Sequence, residues 1–524
     1  MFSALLLASI LLLILYLRLT HPPSRPDPRE PPIITSRLPV LGHIVGMLKD
    51  RIFYFEKLSF LTPSPVFTIS IFNYKIHVIT DPTMISAIHR LSSVSFDPII
   101  VSIAATVVGD SPTILRLMHN PEPGSKEVNQ YMVETHSILH DTMVPGPGLW
   151  DMNALVLEKV SSLVNPIGTE VQEKNFWYWL RDSLTRASSK ALYGIHHPLE
   201  NDPDLVQTIW DFEDSQTTLM LLPKPLQYLI PGTRRSLAAQ EKLHAAFRRY
   251  YSDPEKRNHP SVSALARSRM NVNLSHGVPL NEIGNSGLSL LFVATTNAIP
   301  TLYWAILYLF SNPAQVSELR AHLENSGIVS STGEADGKRK LRIDYTKFNE
   351  KCPDLIAAYN ETMRITNVQG GTRVVLEDTV LSSGSEDENA HRQGFLFMKG
   401  SLIMTPARIV HLSRDIWGDD AEIFRPSRWQ QLTKKQKRAF IPFGGGKHLC
   451  PGRDFAFAEI VGTLAVLLLG FDVMGEDGDV VKLPSGWETK FGVGGPDHEG
   501  KALKIKIRRR PGWDDVIWEF GNGE

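Results

Sequence analysis

The chain has 524 residues, of which 42% are hydrophobic and 21% charged, and its formal net charge is -1. That is an ordinary globular composition, large enough for one deep core, and without the positive excess that binding a phosphate backbone requires, so nucleic acid is not an expected partner. Two cysteines, Cys352 and Cys450, exclude a disulfide framework and zinc sites built from several thiolates, so any cysteine chemistry rests on a single thiolate.

The N-terminal run Phe2 to Leu17, FSALLLASILLLILYL, carries no charge. Its length is near the lower limit of the roughly 17 to 25 apolar residues of a spanning helix. It has no basic residue before it and no small-residue cleavage site after it, so it reads as an uncleaved transmembrane anchor over residues 1–20 rather than a signal peptide. Arg18, Arg25, Arg29 and Arg37 follow it, which places the body on the cytosolic side of the bilayer. A proline-rich stretch, HPPSRPDPREPP, opens a stiff linker over residues 21–45. Residues 46–524 read as one catalytic unit. The sequons at Asn273 and Asn360 are chance matches on this reading.

Residues 281–310 contain LSLLFVATTNAIPTLYWAILYLF, long enough to span a membrane. Thr295, Thr296, Asn297 and Pro300 at its centre argue instead for a helix through the core of the protein. Pro300 cannot donate to the carbonyl of Thr296, which predicts a break near Asn297. The polar segment NSGIVSSTGEADGKRK (325–340) is expected to be a solvated loop, and SSGSEDENAHRQ (382–393) another. Between them lies a helix over 354–366, with Glu361 and Arg364 three apart on one face. Strands are expected within 373–404.

Residues 443–452 read FGGGKHLCPG. Consecutive glycines allow a tight turn and the close approach of a flat group. Cys450 sits just before a helix expected over 453–469, and the N-H groups and partial charge of a helix start favour a thiolate, the form that binds metal. Lys434, Lys435, Lys437 and Arg438 precede this loop. They are either merely solvated or a surface that steers an acidic partner.

The complete pattern F-x-x-G-x-x-x-C-x-G, formed by Phe443, Gly446, Cys450 and Gly452, resembles the haem-binding loop of the cytochrome P450 family. The resemblance implies a mainly α fold with small β-sheets (α+β). It also implies haem b held by the Cys450 thiolate, with His448, in place of the more frequent Arg, and Arg373 as contacts of the haem propionates. Glu361 and Arg364 resemble the family's E-x-x-R pair, completed by Arg428 of FRPSRW, and are read as scaffold. Trp177 and Arg181 have the spacing of the family's W-x-x-x-R motif but lie too late in the chain, and are read as packing.

Many oxygen-activating members carry an acid and an alcohol on the central helix. By resemblance those positions hold Thr296 and Asn297, the candidate catalytic residues. Ala294, Val368 and Gln369 are further candidates to face the haem. An Asn at the alcohol position followed by I/G-P, here Ile299-Pro300, resembles the branch that contains sterol 7-alpha-hydroxylases and prostacyclin synthase. That branch contains both oxygen-activating and peroxide-rearranging members; the basic run and the cytosolic orientation favour a monooxygenase of small apolar substrates (sterol, terpenoid or polyketide-like, as in secondary metabolism). It would be single-pass in the endoplasmic reticulum and served by NADPH-cytochrome P450 reductase. The alternatives are a peroxide isomerase or dehydratase on the same haem, acting without O2 or NADPH, and a non-catalytic haem- or lipid-binding membrane protein.

Overall fold

The computed structural model describes residues 27–36, 42–71, 74–119, 128–222, 224–382, 394–488 and 492–522. The expected anchor lies outside the described residues, as does most of the 382–393 loop. The described part of the linker does not stand free. The Thr68 N-H donates to the Pro32 carbonyl at 2.8 Å, and Ile33 pairs with Thr68 at the edge of the first sheet. Apolar Ile33 and Ile34 give this stretch a β-edge to join, so the body starts earlier than residue 46.

That sheet is built from alternating or continuous β-branched runs. Val66–Ile71 and Tyr74–Ile79 pair antiparallel, with Val66 opposite Ile79. Leu402–Pro406 joins Tyr74–Ile79 in parallel, Gly370–Val375 follows antiparallel, and Val94–Ser95 closes the far edge. Strands therefore do form within 373–404, and they carry Arg373 into the interior.

Helices make the bulk of the molecule. Those that position the site are α1 (Gln130–Met143), α2 (Pro147–Val164), α3 (Phe176–Tyr193), α4 (Leu280–Thr295), α5 (Ala298–Phe310), α6 (Pro353–Thr366) and α7 (Arg453–Gly470). The architecture is the mainly α, small-sheet class expected. α4 and α5 are the expected long apolar helix, broken at Thr296–Asn297, four and three residues before Pro300. Among the described residues this is the one segment long and apolar enough to cross a membrane, and 78% of its most apolar window is buried inside the protein. Every residue of α5 except Tyr308 is buried, so it is a core helix. Each such large apolar side chain contributes about 1.5–3 kcal/mol by leaving water.

One expectation fails. Residues 325–340 are not a loop. Val329–Ala335 and Lys338–Asp344 form a hairpin, and Lys338–Asp344 also pairs in parallel with Val516–Gly521. Asp336 and Gly337 both have positive φ, 52° and 72°, the geometry of a two-residue hairpin turn. Polar composition hid a β-ribbon whose strands are largely solvent-facing.

Candidate active site

The cysteine loop is closed by its own backbone. The Cys450 N-H donates to the Phe443 carbonyl at 3.0 Å, and the Leu449 N-H to Gly446 at 3.1 Å. Gly444 and Gly446 have φ of 73° and 66°. A Cβ on Gly445 would overlap the His89 ring, and one on Gly446 would overlap the His89 carbonyl. These two glycines are therefore required by the protein's own packing. Gly452 differs. The nearest atoms to a Cβ there would be Cys450 Sγ at 3.9 Å and Met143 Cε at 4.0 Å, so open space adjoins the sulfur.

Cys450 lies just ahead of α7, as expected, but the expected lowering of its pKa is reversed. Burial pushes the thiol up, and the Gly452 backbone N-H and Arg453 only partly oppose this. A helix start is too weak a charge to outweigh desolvation. A cation bonded to the sulfur would reverse the balance.

One edge of this space is lined by a polar group of residues. Arg373 is buried, its Nη1 donates to the Thr372 carbonyl at 2.8 Å, its Nη2 reaches the Gly445 carbonyl at 3.4 Å, and it lies over the Phe96 ring. His448 Nε2 accepts from the Phe96 N-H at 3.3 Å, and its Nδ1 is 3.8 Å from Asp97. Burial first, then Arg373 and Lys447, push His448 down to about 4 against the pull of Asp97. It is a neutral imidazole at physiological pH, a hydrogen-bonding partner and not a second cation.

Sequence reading missed three neighbours. His136 of α1 places Nε2 3.2 Å from Asp97 Oδ1, and its ring lies 6.1 Å from that of His448. Burial works to raise Asp97, but His136, His448 and Ser95 together hold it below the usual carboxylate range. His89 presses on the loop glycines and is pushed down to about 4 by burial, Arg373 and His448. No spacing rule joins residues 89, 97, 136 and 448, so only the fold could assemble them.

Beneath the loop, Glu361 and Arg364 are fully buried and bidentate, at 2.9 and 2.8 Å. Glu361 also accepts from Arg428 Nε at 2.8 Å, the Arg425 N-H at 3.0 Å and Trp429 Nε1 at 2.9 Å. Arg364 donates to the carbonyls of His411 and Ala421, both at 2.6 Å. Five donors satisfy the carboxylate, which a buried charge requires. The lock reaches the loop through Asn367 Nδ2, which donates to the Pro442 carbonyl at 2.7 Å.

Opposite, on the broken helix, Val293 is 60% exposed and Asn297 is also exposed, although residues around them are buried. One helical turn apart, they lie on one face of the helix. Phe292 meets Phe212 edge-on at 5.4 Å beside them. Thr296 does not share this role. It is buried, and its hydroxyl donates to the Phe292 carbonyl at 3.0 Å, one turn back in the helix. Val368 is also corrected: it is wholly buried in a cluster with Ile44, Phe55 and Met404. Gln369 is exposed and Ala294 half-buried. Trp177 and Arg181 pack against Trp210, as expected. Lys434–Ala439 forms a short capped helix with Lys434, Lys435 and Lys437 exposed, leading into the loop through Phe440.

A flat prosthetic group with a carboxylate edge fits the chemistry of these residues: a half-buried cysteine in a glycine loop, a buried guanidinium among imidazoles, and an exposed amide at the break of the long apolar helix. The comparisons agree. Residues 31–497 match the sequence profile described as Cytochrome P450. A "Cytochrome P450 monooxygenase" of Gibberella zeae is 31% identical over 95% of this chain and 92% of its own. "Cytochrome P450 monooxygenase nodJ" of Hypoxylon pulicicidum is 28% identical over 94% and 92%. The human "7-alpha-hydroxycholest-4-en-3-one 12-alpha-hydroxylase" is 23% identical over 92% and 94%. With its thiolate loop, its buried Glu-Arg lock and its length all matched, the chain belongs to the cytochrome P450 family of haem-thiolate oxidoreductases.

Proposed function

We propose that this P450 monooxygenase inserts one oxygen atom into a small apolar substrate of sterol, terpenoid or polyketide type, as in secondary metabolism, at haem b. The observation that carries this reading is the half-buried Cys450 at the end of its glycine loop, together with an exposed Asn297 and Val293 at the break of an otherwise buried helix. Cys450 would ligate the iron, and Arg373 and His448, with His136 nearby, would hold the haem carboxylates. Phe443, Gly446 and Gly452 shape the loop around that ligand. Haem with a thiolate ligand supplies activation of molecular oxygen. Val293 and Phe292, the latter backed by the buried Phe212, offer the substrate an apolar surface, which suits a lipid-like molecule. Asn297 offers an exposed polar group on that stretch of helix, where the Thr295 and Thr296 hydroxyls are buried and bonded within the helix.

The exposed lysines ahead of the cysteine loop support docking of an acidic surface of NADPH-cytochrome P450 reductase. The uncharged run at residues 2–17 supports a single-pass anchor in the endoplasmic reticulum with the body in the cytosol. The test is incubation with candidate lipids under labelled O2, with and without reductase and NADPH, read by mass spectrometry. Label in the product, dependent on reductase, is the expected result, and Cys450→Ala should abolish it. Product formed without NADPH and without label would favour the second reading, a peroxide isomerase or dehydratase. The observation behind that second reading is that the residue beside Asn297 is a threonine whose hydroxyl is spent on the helix, not an acid.

A further inference from the structure

The break between α4 and α5 leaves Asn297 with half of its amide already engaged. Its Oδ1 accepts from the Val493 backbone N-H at 3.1 Å. Because the partner is a donor, the contacting amide atom is the oxygen, and the orientation of the group follows. The strap that carries this N-H is itself fixed. The Val368 N-H donates to the Gly492 carbonyl at 3.0 Å and the Gly494 N-H to Thr366 at 3.2 Å, both at the end of α6. Trp304 Nε1 of α5 donates to the Gly494 carbonyl at 2.7 Å. Gly492 has φ of 144°, and a methyl group there would overlap Asn297 Oδ1. Only glycine lets the strap approach this closely. The remaining amide atom, Nδ2, carries two N-H groups and has no acceptor among the described residues, on a residue exposed like Val293 one turn before it.

We infer that Gly492 and Val493 are positioning residues that lock Asn297 as a one-way hydrogen-bond donor toward the oxygen-bearing ligand on the distal side of the haem. This deepens the function proposed above and rests on it. An alcohol at this position could both donate and accept. A carboxylate could pass on a proton. The locked amide does neither: it donates N-H to a ligand oxygen and stabilises negative charge there. The strap therefore sets the polarity of the site without touching the ligand.

The test uses the full-length, haem-loaded protein, reduced and exposed to carbon monoxide, read by the infrared C-O stretch. A donor on the ligand oxygen lowers that frequency. The wild type should show one narrow band, since the amide has one orientation. Asn297→Ala should raise the frequency. Asn297→Asp, which keeps the acceptor for Val493 but loses the NH2, should raise it too. Gly492→Ala should shift it upward, although residue 492 contacts no ligand. Two wild-type bands, or an unmoved band in Asn297→Ala or in a folded Gly492→Ala, would overturn the inference. If Gly492→Ala does not fold, the wild-type band count and the Asn297 pair still decide it. Loss of the red-shifted Soret band in the wild type itself would instead defeat the haem-thiolate reading.

Discussion

At Gly446 two independent constraints meet. The left-handed backbone costs a side-chain-bearing residue about 1–2 kcal/mol, and His89 occupies the space a Cβ would take. Gly446→Ala is therefore expected to displace the loop and lose thiolate ligation, seen as a fall in haem content and in the red-shifted carbon monoxide band. An unchanged spectrum would show that His89 yields. Arg373 presents a different balance. Its guanidinium reaches the Gly445 carbonyl of the loop, and His448 and His89 near it are held neutral by burial. Arg373→Ala should weaken haem retention, measured as faster haem loss to a scavenging apoprotein, while Arg373→Lys restores part of it. Equal loss rates in wild type and Arg373→Ala would remove the residue from the haem edge. Cys450, Phe443 and Arg373 were legible because their chemistry demands particular residue types in a compact pattern. His136 and Asp97 were not, since a hydrogen-bonding imidazole has no obligatory neighbour in sequence.

Helices and strands turn these residues into a site. α6 ends in Asn367, whose side chain holds the Pro442 carbonyl, so the Glu361–Arg364–Arg428 lock and the cysteine loop are one connected body. Removing one charge from such a buried set leaves uncompensated guanidiniums and typically costs 3–5 kcal/mol. Glu361→Gln should accordingly lower the denaturant midpoint sharply and leave little haem-bound protein. A variant as stable as wild type would contradict the fully buried geometry. The helix break was readable from Pro300, because a missing N-H is a local fact. The hairpin at 329–344 was not, because its pairing with Val516–Gly521 comes from more than 170 residues away.

Across the whole molecule, acid should weaken the fold. Burial pushes His77, His89 and His197 down to about 4, and His411 to about 3. In this window the unfolded chain binds protons that the folded chain refuses, so stability falls as pH drops from about 6.5 to about 4 and is at full value above it. A histidine shifted this far contributes up to about 3 kcal/mol. Denaturation midpoints at pH 7 and pH 4.5 should differ markedly, and His77→Asn should reduce the difference. Equal midpoints would contradict the buried, neutral imidazoles. Deleting residues 1–26 should reduce sedimentation with membranes while leaving the carbon monoxide spectrum intact. Continued tight membrane association would place the anchor elsewhere.

The amino-acid sequence by itself determined the cysteine loop, the glycine turn, the Glu-Arg pair, the proline break and the α-rich class, because each is set by local stereochemistry or by a motif only a few residues long. Tertiary structure decided which way those groups face. It buried Thr296 and Val368, left Asn297 exposed, raised the Cys450 thiol by desolvation and gathered His89, Asp97, His136 and His448 along one edge. Burial and orientation arise from contacts between distant segments, and no window of the chain contains them.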